Sequence, residues 1–110
     1  MTFPFVVCAI VTVVSAAVSL GFSLASARSP IQAQRTLGLY ASARSFALFA
    51  ASVAAFWTGW LPWLEIVAAC MIVVQACDAA IGVSIEDRMK TYGPAATAIA
   101  NLVALLWLLA

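Results

Sequence analysis

The chain alternates between long apolar stretches and short polar ones. Residues 1–27, 45–64 and 91–110 carry no charge, and residues 66–85 carry only Asp78. A helix needs about 20 apolar residues to cross a bilayer. The pattern therefore predicts four spans, at residues 3–25, 39–59, 64–85 and 93–110. Short polar connections join them, so consecutive helices run antiparallel. The expected fold is all-α: one integral membrane four-helix bundle over residues 1–110, made of two antiparallel helical hairpins.

Breakers and small residues refine this outline. Pro30 ends the first helix, and the stretch RSPIQAQRTLGLY, residues 28–40, is expected to form the one sizeable connection, partly lying in the interface as a short amphipathic turn. TGWLPW, residues 58–63, reads as a tight hairpin in which Pro62 opens the third helix. Trp57, Trp60 and Trp63 there form an aromatic cluster suited to the membrane interface. Glu65 is expected in the first turn of the third helix, facing the positive end of its dipole. Gly93 and Pro94 are expected to start the fourth helix, and Glu86 and Lys90 are spaced to pair across one turn. Ser15, Ser19 and Ser23 in the first span, and Ala96, Ala100 and Ala104 in the last, form small-residue stripes that let membrane helices approach closely.

Composition narrows the class. The chain has 110 residues, is 66% hydrophobic and 8% charged, and has a net charge of +1. A soluble domain of this size could not hide so much apolar surface, and no basic patch points to nucleic acid. All five positive residues fall in two of the connections or beside them: Arg28, Arg35 and Arg44 after the first span, Arg88 and Lys90 before the last. The positive-inside rule makes that side cytoplasmic, with both termini outside and a single insertion orientation. The sequence LASA before Arg28 is similar to a signal-peptidase site, but the first five residues carry no positive charge and the apolar run exceeds a usual signal core. The first span is therefore expected to be retained. The style of the sequence points to a bacterial inner membrane.

Candidate chemistry is sparse. The chain has no histidine, and its cysteines are Cys8, Cys70 and Cys77 without a C-x-x-C pair. Cys70 and Cys77 stand two turns apart, about 10 Å by helical rise, too far for a disulfide. No metal, cofactor or catalytic constellation is expected. The informative residues are polar groups inside the spans. An ionised carboxylate in hydrocarbon costs several kcal/mol, so Asp78 should find a partner, face the bundle or take up a proton. The second and third helices fold back about Leu61. Arg44 lies 17 residues before that point and Asp78 lies 17 after it. Antiparallel helices of equal rise place the two at one depth, so an Arg44–Asp78 ion pair is expected, with the planar guanidinium holding the carboxylate bidentately. Gln75 is expected to flank the pair one turn deeper and Asn101 to approach from the fourth helix; Arg44 snorkelling to the interface would instead leave Asp78 to Gln75, Asn101 or water. Three roles stand open for this group: fixing the register of the bundle, holding a ligand or lipid headgroup, or moving protons or ions.

The segments ASARSFALF, QACDAAIG and YGPAATAIANLVALL resemble small bacterial four-helix membrane proteins, the DoxX-like proteins and neighbouring families of unknown function. The likeness covers residues 38–110 and hardly touches the first helix. Those families tend to carry an Arg early in the second helix and an Asp late in the third, positions that Arg44 and Asp78 match. The resemblance implies a four-helix bundle; some DoxX-like members are associated with quinone-linked sulfur oxidation. Small multidrug-resistance transporters share the length and helix count, but their first helix carries a membrane-embedded glutamate, and the first helix here has no acid.

The expected function is that of a non-enzymatic integral membrane protein: an accessory or assembly subunit, or a self-associating bundle. Its partners would be the lipid bilayer and either other membrane subunits or further copies. The alternative is a small transporter, or a lipid- or quinone-binding protein with its polar site at Arg44, Gln75, Asp78 and Asn101. A membrane enzyme using Asp78 as acid or base comes third.

Overall fold

A computed structural model describes residues 2–84 and 88–110, with side chains described outside residues 88–91. The described chain is helical throughout, in the order α1 (Phe3–Ala27), α2 (Gln32–Thr58), α3 (Leu61–Ser84) and α4 (Arg88–Leu109). All four helices are long and apolar enough to cross a membrane, α4 through Tyr92–Leu109.

Local chemistry explains most boundaries. Thr2 caps α1, its hydroxyl accepting from the Phe5 amide at 3.3 Å, and a proline stands in the first turn, where no N–H is needed. α1 stops at Arg28, whose amide bonds back to Ala25, and Pro30 prevents its continuation. α2 ends on Gly59, in the left-handed conformation at φ 67, with its amide bonded to the Ala55 carbonyl at 3.1 Å. A side chain there would be strained, so glycine is what allows so short a turn before α3.

Three boundaries differ from expectation. α2 begins at Gln32, so most of the expected connection is helix and the turn shrinks to four residues, 28–31. Its first two turns, residues 32–37, are exposed, and the first buried position is Gly38, which lies against the end of α1. α3 begins at Leu61, which moves Glu65 out of the first turn. Pro94 lies inside α4 instead of starting it. The helix tolerates Pro94, and the Thr97 hydroxyl supplies a donor to the Pro94 carbonyl at 2.9 Å. Glu86, and so its expected pairing with Lys90, lies outside the described residues.

The bundle is flattened, with Cα extents of 45 × 23 × 15 Å. α1 packs most extensively on α2, and α3 on α4, giving two antiparallel hairpins. α1 also touches α3 and α4, α3 touches α2, and α2 and α4 do not meet among the described residues. The cross-section is therefore a rhombus with α1 and α3 on its short diagonal. Small side chains permit that approach: Cys8, Ala9, Thr12, Ser15 and Ala16 are buried on α1, and Ala68 is buried on α3 beside Leu64 and Met71. Large apolar side chains point outward instead, among them Phe46, Trp57, Val73 and Leu106. Lipid tails are as apolar as these groups, so association within a membrane gains from close van der Waals packing and not from apolar burial.

One glycine is required by contact. A Cβ on Gly38 would run into the backbone of Ser26 and Ala27. The start of α2 thus rests directly on the end of α1. The Ala96–Ala100–Ala104 stripe does not behave as expected: Ala96 and Ala100 are exposed, and α4 buries Pro94, Ala98, Asn101, Ala104 and Leu105. Asn101 sets this orientation, because its amide must face a partner and turns the helix with it.

Candidate functional site: the polar groups of the helices

α2 and α3 carry Arg44 and Asp78 to the same level, as their equal spacing from Leu61 requires. Arg44 Nη2 donates to both carboxylate oxygens of Asp78, at 3.2 Å each. A single nitrogen is shared between two acceptors, in place of the expected parallel fork. Both distances exceed the 2.7–2.9 Å typical of a charge-assisted hydrogen bond, so the contact is loose. It is also open. The Arg44 side chain is 45% exposed and that of Asp78 is 20% exposed. Among the described residues the remaining guanidinium donors of Arg44 have no partner.

Gln75 and Asn101 do not join this pair. Both are fully buried and both reach α1. Gln75 Nε2 donates to the Ser15 carbonyl at 3.1 Å. Asn101 Nδ2 donates to the Thr12 hydroxyl at 2.9 Å, and that hydroxyl donates in turn to the Cys8 carbonyl at 2.7 Å. The four expected site residues therefore split into an outward pair and two inward struts. The reason is position around the helix. Gln75 and Asp78 are three residues apart on α3, which turns their side chains about 60° from each other; one points to α1 and the other to the α2 side. Asn101 sits on α4, which never reaches α2. One atom is left over: Asn101 Oδ1 is buried without a hydrogen-bond partner among the described residues.

A third polar group was not anticipated. Ser45, next to Arg44, is fully buried against α1. Its hydroxyl lies 2.9 Å from that of Ser19 and 3.3 Å from that of Ser23, and Ser23 donates to the Ser19 carbonyl at 2.8 Å. Since the Ser23 proton is spent on that carbonyl, Ser45 donates to Ser23 and Ser19 donates to Ser45. The serine stripe on α1 is thus a packing seam, as its spacing suggested, and Ser45 is the tooth that engages it. Nothing in the sequence marks Ser45 as different from the other small residues of α2.

The tryptophans also divide. Trp57 and Trp60 are exposed at the hairpin tip, where aromatic rings anchor membrane proteins. Trp63 instead turns inward and donates Nε1 to the Ala51 carbonyl at 3.0 Å, tying α3 to α2 near the tip. The outer face of α2 forms a shallow apolar groove along Phe46, Phe49, Val53 and Trp57.

Chemically, Gln75, Asn101 and the three serines hold helices together. Of the four expected site residues, Arg44 and Asp78 are the two that keep unspent hydrogen-bonding capacity at the surface of the bundle, and Asn101 keeps one unpartnered oxygen inside it. No family model, curated protein or solved structure matches the chain.

Proposed function

We propose that the protein is a non-enzymatic, multi-pass membrane protein of the bacterial inner membrane, with both termini outside, that works by assembly: as an accessory subunit or a self-associating bundle. One observation carries this reading. Gln75, Asn101, Ser19, Ser23 and Ser45 are engaged with neighbouring helices, with Asn101 Oδ1 the one buried atom without a partner among the described residues, while the Arg44–Asp78 pair and the large apolar side chains face outward. A carrier would be expected to reverse that arrangement, with polar groups lining an inner path. The uneven charge of the connections supports a single insertion orientation, which a fixed assembly needs. The likeness to DoxX-like proteins is compatible with the same reading.

Native mass spectrometry on protein extracted gently from its own membrane tests the proposal. A defined complex, with another subunit or with further copies, is the expected result. A monomer that retains a small lipid or quinone would overturn it. That outcome would favour the second reading, a lipid- or quinone-binding protein, for which the half-exposed Arg44 guanidinium is the supporting feature.

A further inference from the structure

We propose that the exposed seam between α2 and α3, centred on Arg44 and Asp78, is a two-fold interface with a second copy of the same chain. This rests on the assembly reading above and names the partner.

Depth makes the ion pair unusual. By helical rise it stands about 25 Å from the hairpin tip. With Trp57 and Trp60 at one interface, a hydrocarbon core of about 30 Å still encloses that level. An ion pair with 45% of its arginine side chain exposed there would face lipid tails. Charged groups in a membrane turn toward protein or water and pair with one another. The guanidinium can snorkel toward the nearer interface, but the Asp78 carboxylate is too short to follow, and a second protein surface over the seam would shelter it.

The charges say which surface. An Arg beside an Asp is its own complement under a two-fold rotation, which brings each arginine opposite the other copy's carboxylate. The loose geometry leaves room for that exchange. Arg44 engages Asp78 through Nη2 alone, so its other donors remain available for a second carboxylate. An anionic lipid headgroup fits less well, because Asp78 offsets the charge that would attract it. All five Lys and Arg residues lie toward one end of the bundle, so two copies insert in the same sense. A two-fold axis along the membrane normal then puts both pairs at the same depth.

The flanks allow close approach. Ala43, Ala47, Ala50 and Ala54 are all exposed on α2, at steps of four, three and four residues about a quarter turn from Arg44. Cys70 and Cys77 are exposed on α3, and Cys77 adjoins Asp78. These small side chains let part of another helix pair approach the seam, and the exposed Tyr40 and Ile81, one turn from Arg44 and Asp78, offer it larger apolar contacts.

The native cysteines supply the first test. In membranes holding the full-length protein, a short bis-maleimide should join two copies through Cys77 or Cys70, and C70S/C77S should abolish the product. The second test uses R44D and D78R with different affinity tags. Each variant alone presents two like charges, and its dimer fraction should fall about tenfold. Co-expressed, the two should recover as mixed dimers, because each complements only the other. If neither variant folds, the wild-type cross-link decides alone. Cross-linking solely to a different stoichiometric subunit would overturn this inference and leave the assembly reading standing. A monomer under both cross-linking and native mass spectrometry would overturn both.

Discussion

α2 meets α1 through hydroxyls and bare backbone, and meets α3 through one loose ion pair and a tryptophan clamp. On the α1 side, Ser45 sits between Ser19 and Ser23, and Gly38 lies on the backbone of Ser26 and Ala27. On the α3 side, the contact is sparser and its central pair is half open to the surroundings. The difference shows how a bundle of long apolar helices grades its joints. Small residues create a seam that excludes everything else, while a charged pair creates a joint that still has bonding capacity to offer. The first kind fixes one arrangement; the second can be completed from outside.

Gly38→Leu should break the comparison most severely. The added side chain meets backbone atoms that cannot rotate away, so α2 must shift, at a cost near the top of the ~1–3 kcal/mol range for overpacking. Reversible unfolding in mixed micelles measures it; near-wild-type stability would mean that the two helices do not approach as closely as described. Ser45→Leu attacks the same seam and should cost about 1–2 kcal/mol by the same assay.

Gln75→Leu probes an inward strut of nearly the same volume. It should lose about 0.6 kcal/mol, and no more than ~1.7, because the Ser15 carbonyl keeps its own helical partner. A larger loss would mean that Gln75 belongs to a network extending beyond Ser15. Arg44→Leu and Asp78→Asn form a double-mutant cycle across the other joint. A coupling of about 0.5–1 kcal/mol is expected; strictly additive effects would remove the ion pair from the account. Trp63→Phe should have a similar or smaller effect, about 0.5 kcal/mol for one hydrogen bond to a carbonyl that is already helical.

The helices were legible because each holds an apolar run close to or above the length a bilayer needs, and because Gly59 and Pro62 mark the tight turn with little ambiguity. The Arg44–Asp78 pair was legible for a related reason: one turn and a constant rise per residue determine which positions of a hairpin share a level. The start of α2 was not, because residues 32–37 are largely polar and stay exposed, and apolar periodicity gives no sign of a helix there. The partners of Gln75 and Asn101 were also hidden. Depth can be counted along a helix, but the direction a side chain faces depends on which neighbour each helix chooses. Trp63 shared the composition of its neighbours at the tip and differed only in facing α2.

By itself, then, the sequence determined the all-helical class, the number of helices and the shared level of Arg44 and Asp78, since these follow from apolar run length and helical rise. Only the tertiary structure decided where α2, α3 and α4 begin, that α1 and α3 occupy the short diagonal, that α2 and α4 stay apart among the described residues, and that two of the four expected site residues turn inward while two remain at the surface. The physical reason is that apolarity, which drives a chain into the membrane, does not choose between helices once they are there. That choice falls to side-chain size and to hydrogen bonds between helices, and both depend on three-dimensional neighbours.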